Sequence, residues 1–220
     1  MGGSILPVTL YNNKIYFLFG KERDIDENPG WSDFGGGSEK NETFLNTACR
    51  EGSEELTGFL GTSKDIKKML LSSGTYNIDY QSNEGHSTYR VHIFPMQYNE
   101  YLTHYYNNNQ QFLQKQLDPK VIRDTKIFEK TQIKWFEFED IAKNKKQFRS
   151  FYQNIIELFL QNRKNITTFI KSKLSTTNKR NLMKKKTYKK TTNIKKTTNI
   201  KKKTNIKKKT YKNKPYKKEN

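Results

Sequence analysis

Residues 35–61 read GGGSEKNETFLNTACREGSEELTGFLG, and the fold class follows from how this stretch is taken. Three glycines lead into a segment where Arg50 stands directly before Glu51, with Glu54 and Glu55 close behind. At 100° per residue over a helix spanning 42–57, Leu45, Cys49, Gly52 and Leu56 share one stripe. Glu51, Glu54 and Glu55 form another on roughly the opposite side. Like charges at helical spacing repel, and no lysine stands four residues from these glutamates to relieve them. A row of charge is ordinarily a solvated helix face, and the missing lysines weigh against that here. Three carboxylates on a partly buried face make an oxygen cage suited to Mg²⁺ or Mn²⁺. A glycine turn ahead of the helix brings backbone N–H groups close to any phosphate held there.

Working outward, residues 5–10 (ILPVTL) and 14–20 (KIYFLFG) are β-rich runs joined by Tyr11-Asn12-Asn13, a hairpin connection. Residues 21–30 are polar and end in Pro29-Gly30, a loop, and 31–37 carry the chain to the glycine turn. Beyond the glutamates the pattern predicts a short helix over 64–71 and strands over 75–80 and 87–96. A helix over 99–117 places Leu102, Tyr106, Leu113 and Leu117 inward. Strands over 121–128 and 132–138 follow, then a helix over 147–173 with Phe148, Phe151, Tyr152, Ile155, Leu158 and Phe159 on one face. Strands, helix, strands and helix in this order specify an α/β (α+β) class with a mixed sheet sandwiched between helices.

The formal net charge of +20 is unevenly distributed. Of 42 Lys and Arg and 22 Asp and Glu, 19 and one respectively fall after residue 177, leaving 23 and 21 in the body. Residues 1–174 therefore read as one domain, and 175–220 as a Lys-rich tail. Within the tail Asn193-Ile194, Asn199-Ile200 and Asn205-Ile206 recur every six residues. It lacks the apolar faces that a stacked repeat needs, and its composition is that of a disordered segment. The single cysteine, Cys49, excludes an intrachain disulfide and fits a reducing compartment. No apolar run approaches a membrane span, no secretory signal is visible, and Leu6 stands where a myristoylation signal wants Ser or Thr. These features point to an intracellular, cytoplasmic protein with no membrane partner, the nucleus or a virion being alternatives.

The central stretch resembles the Nudix family, whose box has the pattern G-x5-E-x7-R-E-U-x-E-E-x-G-U, with U aliphatic. Gly36, Glu42, Arg50, Glu51, Glu54 and Glu55 match its spacing residue for residue. Trp31 to Gly37 is similar to the W-x-F-P-G-G approach to the box. Gly52 stands where the pattern has an aliphatic residue, and implies close approach of another element. Thr57 stands at the later glycine, with Gly58 one residue on, which implies a helix exit longer by one residue. The form R-E-G-x-E-E-L-T-G-F-L-G is similar to Nudix enzymes of large DNA viruses, a branch associated with mRNA decapping and diphosphoinositol polyphosphates. Phe128-Glu129 through Trp135-Phe136 looks like the family's later strand, and the helix at 99–117 looks like an insertion.

The resemblance implies metal-dependent hydrolysis of a P–O–P bridge. Glu51, Glu54 and Glu55 would hold Mg²⁺ or Mn²⁺, with Glu42 in the outer shell and at the loop–helix junction. Arg50 would orient Glu51 or Glu55, Glu51 or Glu129 would act as general base, and Gly35, Gly36 and Gly37 would form the phosphate-binding loop. The three histidines, His86, His92 and His104, show no ligand spacing, and His92 reads as structural. Trp31 and Tyr89 are candidates for base stacking or for the core, and Cys49 belongs to the buried stripe. A polycation interspersed with tyrosines binds phosphate backbones, so RNA is the expected partner and capped RNA the leading substrate. Alternatives are a diphosphoinositol polyphosphate, a dinucleoside polyphosphate or a damaged nucleotide, and a catalytically idle RNA-binding fold.

Overall fold

The hairpin that starts the chain is also the centre of the sheet. In the computed structural model, which describes residues 1–23, 28–82, 87–125 and 128–174, β1 (Gly2–Tyr11) pairs antiparallel with β2 (Lys14–Glu22). Asn12 and Asn13 turn the hairpin at φ of 48° and 62°, the left-handed pair of a two-residue turn that Asn tolerates best after Gly. On its other side β1 lies parallel to β6 (Thr88–Pro95), and it also pairs antiparallel with β4 (Phe34–Gly37). Strands β3 (Trp31–Ser32) and β7 (Lys130–Glu137) attach to β2, and β5 (Tyr76–Gln81) attaches to β6, completing a seven-stranded mixed sheet.

Both faces of the sheet are covered, which explains why its central strands read as continuous apolar runs. Alternate residues feed two cores. Leu6, Val8, Phe17, Phe19, Val91 and Ile93 join Tyr152, Ile155, Phe159, Ile166 and Ile170 of α6 (Tyr152–Gln161) and of the helix over 163–174, called α7. Ile5, Leu18, Phe94 and Ile133 join Ala48, Cys49, Ile66, Leu70, Leu102 and Tyr106 of α1 (Phe44–Glu55), α2 (Ser63–Ser73) and α3 (Glu100–Gln116). The α+β sandwich expected from the sequence is present.

Three expectations are corrected. Residues 121–124 are not a strand: α4 (Pro119–Asp124) occupies them, started by the Asp118 side chain on the Lys120 N–H and by Pro119 in the first turn. The single helix over 147–173 is instead a 3₁₀ turn at Lys145–Gln147, then α6 and α7 with a break at Asn162. Phe148 enters the core from extended backbone, bridged to Trp31. At the end of α3 Leu117, expected inward, is exposed and Leu113 only half-buried, while Gln110, one turn after Tyr106, is buried. A short α5 (Phe138–Ile141) follows β7. The tail over 175–220 and His86 lie outside the described residues.

Gly52 confirms its reading: a Cβ there would collide with the Ile5 side chain on β1, so glycine lets α1 press onto the sheet. The exit of α1 differs from expectation. The Gly58 N–H donates to Ser53 O at 2.9 Å and the Thr57 N–H to Glu54 O at 2.8 Å, the paired bonds of a Schellman cap. Thr57 therefore takes the left-handed position itself, at φ 47°, without lengthening the helix, and its buried hydroxyl has no hydrogen-bond partner. Left-handed backbone costs a non-glycine residue about 1–2 kcal/mol. After the extra chain entropy of glycine, Thr57→Gly should stabilise the fold by about 1 kcal/mol in urea unfolding. A variant less stable than the parent would contradict this reading of the cap.

Candidate active site

The glycine run is not a free loop. Gly35, Gly36 and Gly37 lie in β4, with Gly36 opposite Gly3 and Gly37 opposite Gly2 of β1. Extended in this way, the run serves the glutamates of α1 directly. A Cβ at Gly36 would stand 2.6 Å from Glu51 Oε1, so only glycine admits that carboxylate against the backbone. The Gly35 N–H donates to Glu55 Oε2 at 2.9 Å. Gly37 O accepts from Arg50 Nη2 at 3.1 Å.

Arg50 is the cation that pairs with this row. Its Nε and Nη2 grip both oxygens of Glu42 at 2.9 and 3.0 Å, and Nη1 reaches Glu51 at 2.7 Å and Glu54, four residues on, at 3.3 Å. It orients Glu51, as one expectation had it, but not Glu55. Glu42 also accepts from the Glu39 N–H at 3.0 Å and from Thr47 Oγ at 2.9 Å, which pins the junction between the glycine strand and α1. The Arg50 guanidinium foremost, then the Glu39 N–H, hold the Glu42 carboxyl down at about 2. A depressed carboxyl contributes stability that is complete above its ordinary range and lost as pH falls through the folded value. Stability against urea should therefore decline from about pH 4.5 toward pH 2 with a contribution from Glu42. Glu42→Gln should flatten that limb. An acid limb unchanged in the variant would remove Glu42 from the account.

The third glutamate has a different partner. Glu55 is 5% exposed, and its Oε1 lies 3.3 Å from Nζ of Lys130, itself 1% exposed, at the start of β7. The Lys130 ammonium also bonds Glu22 and, at 2.8 Å, Ser32 Oγ. Arg149 closes the group by donating to Glu22 at 2.8 Å. Burial pushes the Glu55 carboxyl well above the usual range. Lys130 opposes the shift, and the charges of Glu22, Glu129 and Asp33 add to it. Burial alone would lower Lys130, but Glu55 and Glu22 outweigh it and keep the ammonium protonated. Lys130, Glu22 and Arg149 carry no signal in local spacing, because β2, β7 and the chain after residue 147 meet only in the folded sheet.

The row of carboxylates is thus divided: Glu51 and Glu55 are buried, and Glu54 is exposed. Glu129, half-buried beside β7, is close enough to Glu55 for its charge to disfavour ionisation there. Among the described residues no three His, Cys, Asp or Glu side chains gather around one metal-sized space; Glu51 and Glu54 pair with Arg50 and Glu55 with Lys130. The donor set nevertheless fits a hard divalent cation. Around α1 the carboxylates of Glu22, Glu42, Glu51, Glu54 and Glu55 face Arg50, Lys130 and Arg149. Glu51, Glu54 and Glu55, within one turn of α1, supply carboxylate oxygens, ligands of the kind Mg²⁺ and Mn²⁺ take.

The remaining candidates resolve as follows. His92 is buried and its Nδ1 lies 3.1 Å from Ser4 O, a structural bond, while burial lowers its pKa. His104 is exposed beside Asn108. Cys49 is buried and its thiol is pushed up to about 11 by burial. Trp31 packs edge-on against Phe136 in the core, whereas Tyr89 borders a cleft with Asp33. Asp33 is 1% exposed, and burial raises its carboxyl to about 6 against the Ser4 and Tyr89 hydroxyls that bond it.

No protein-family model matches this sequence, and no curated protein does. Among solved structures, the chain is similar to a Caenorhabditis elegans Ap4A hydrolase in a binary complex, at 14% identity and a TM-score of 0.47, over 76% of this chain and 99% of that one. A Nudix hydrolase from Nitrosomonas europaea follows at 13% identity and a TM-score of 0.38, over 74% and 88%. A bifunctional NMN adenylyltransferase/ADP-ribose pyrophosphatase from Francisella tularensis, complexed with AMP and Mn, gives 16% and 0.43, over 72% of this chain and 41% of that one.

Proposed function

We propose that this protein is a Nudix-type hydrolase that cleaves a P–O–P diphosphate linkage with a divalent metal ion. The observation that carries the reading is the pair of buried carboxylates, Glu51 and Glu55, held one turn apart on α1 against a glycine strand. Glu51, Glu54 and Glu55 would hold Mg²⁺ or Mn²⁺. The chemistry such an ion supplies when bound is Lewis-acid polarisation of a phosphoryl oxygen and activation of water. Arg50 fixes the Glu51 carboxylate and ties it to Glu42. The Gly35 N–H and Lys130 fix Glu55 from two sides. Glu129 or Glu51 accepts the proton of the attacking water.

Among diphosphates we take capped RNA as the substrate, cleaved to release a methylated guanosine diphosphate. The support is the 19 Lys and Arg after residue 177, which tether a phosphate-backbone binder to the site. Incubation with cap-labelled RNA, dinucleoside polyphosphate and diphosphoinositol polyphosphate, each with Mg²⁺ or Mn²⁺, tests the assignment. Release of the labelled diphosphate from capped RNA is the expected result. For single strands log affinity falls by about 0.7 per log salt for each phosphate neutralised. A chain ending at Leu174 should then lose most of the salt dependence of RNA binding and keep its rate on a short cap dinucleotide. Unchanged hydrolysis of long capped RNA by the shortened chain, at near-physiological salt, would favour a small diphosphate instead.

A further inference from the structure

The exit of α1 leaves one carbonyl to a partner from outside the helix. There the Thr57, Gly58 and Phe59 N–H groups donate to Glu54 O, Ser53 O and Leu56 O. Among the described residues these bonds pass over the carbonyl of Glu55, one of the last-turn acceptors a helix leaves open. Tyr106 of α3 takes it, with its hydroxyl 2.7 Å from Glu55 O and 3.1 Å from Lys130 O. A hydroxyl has a single proton to give, so the two carbonyls share it, the shorter bond going to Glu55. Tyr106 is fully buried, and its ring meets Phe59 edge-on at 5.4 Å.

The two residues joined in this way carry the buried ion pair, Glu55 Oε1 and Lys130 Nζ at 3.3 Å. At this point β7 is irregular: Glu22 pairs with Lys130 but Lys21 with Gln132, so Thr131 bulges out of register. A bulge disrupts the ladder and re-aims side chains, so the strand alone does not fix where Lys130 stands. Asn107 registers α3 on β7. Its Nδ2 donates to Ile133 O at 3.1 Å, and its Oδ1 accepts from the Ile133 N–H at 2.8 Å. Adjacent residues of α3 thus clamp the end of α1 to the start of β7.

We infer that Tyr106 is a positioning residue of the proposed metal site: its hydroxyl fixes the Glu55 backbone against β7 and so aims the Glu55 carboxylate, without touching metal or substrate. Groups that orient a ligand belong to a metal site, since their loss typically costs about 10- to 100-fold in affinity. The inference rests on the metal-dependent reading of Glu55, but its test needs no turnover.

Titration of the full chain with Mn²⁺, followed by loss of the free ion's electron paramagnetic resonance signal, reads the affinity directly. Tyr106→Phe keeps the ring, removes the hydroxyl, and should weaken Mn²⁺ binding by about tenfold. Leu102→Ala is the control. Leu102 is buried on the same helix, so its truncation opens a cavity and lowers stability while both carbonyl bonds remain. That variant should bind Mn²⁺ within about twofold of the parent. Parental Mn²⁺ affinity in folded Tyr106→Phe would overturn the inference. Equal weakening in Leu102→Ala would overturn it too, because the effect would then be one of stability alone. Tyr106→Met drops the same hydroxyl in a flexible apolar chain and is read in the same way. If neither Tyr106 variant folds, the bond is structural and the inference falls. Failure of the hydrolase reading would look different: a parent chain that binds no Mn²⁺, which removes the inference with it.

Discussion

Replacing Lys130 with methionine should lower the free energy of unfolding by about 3–5 kcal/mol, the usual cost of deleting one partner from a buried ion pair. The size follows from what is left behind. Lys130 is 1% exposed and meets Glu22 and Glu55, both at most 5% exposed. Without the ammonium, Glu22 retains Arg149 and Ser32, while Glu55 retains the Gly35 N–H. Two buried carboxylates are then left with one cation, Arg149, which bonds Glu22 alone. Urea unfolding at neutral pH measures the loss. Adding Glu22→Gln to Lys130→Met should restore part of it by removing the repulsion, a coupling a double-mutant cycle reads directly. A single-variant loss under about 1 kcal/mol would mean that the group is solvated in solution and that Glu55 is not held by this lysine.

Glu55→Gln should reduce hydrolysis of every diphosphate substrate by roughly 10²- to 10⁴-fold, the rate equivalent of several kcal/mol of metal-borne stabilisation. The fold should be unharmed. A glutamine oxygen still accepts from the Gly35 N–H, Lys130 keeps Glu22, and the group replaced is one whose ionised form is opposed by burial and by Glu22, Glu129 and Asp33. The variant should therefore unfold at the same urea concentration as its parent or a higher one without added metal. Steady-state rates with saturating Mn²⁺, beside urea curves without it, separate the two effects. A parental rate would make Glu55 a structural residue and end its assignment as a ligand. A large loss of stability would instead mean that the carboxylate is kept for its pairing with Lys130.

Much of this was legible because the informative signals are local. The hairpin over 5–20 declares itself through β-rich runs around Asn12-Asn13. The first helix does so through the stripe of Cys49, Gly52 and Leu56, and it ends within two residues of the expected bounds. The spacing of Gly36, Glu42, Arg50, Glu51, Glu54 and Glu55 marks a candidate site from the sequence alone. Residues 121–124 were misread because an apolar pair, Val121-Ile122, outweighed the Asp118-Pro119 start signal. The break at Asn162 was invisible because the apolar periodicity continues across it.

The sequence by itself determined which residues form elements, which faces are apolar and which segment holds the carboxylates, since these depend on neighbours within one or two turns. Only the tertiary structure decided how those carboxylates are used. Read along the chain, Glu51, Glu54 and Glu55 are a row of like charge with Arg50 alone beside it. In space they are shared out, Glu51 and Glu54 to Arg50, and Glu55 to Gly35 and Lys130. The glycine run likewise becomes a strand because β1 offers it a partner edge, and Glu51 fits because no Cβ stands in its way. Electrostatic and hydrogen-bond partners are chosen by proximity in three dimensions, and sheet pairing brings together β2, β4 and β7, which the chain keeps far apart.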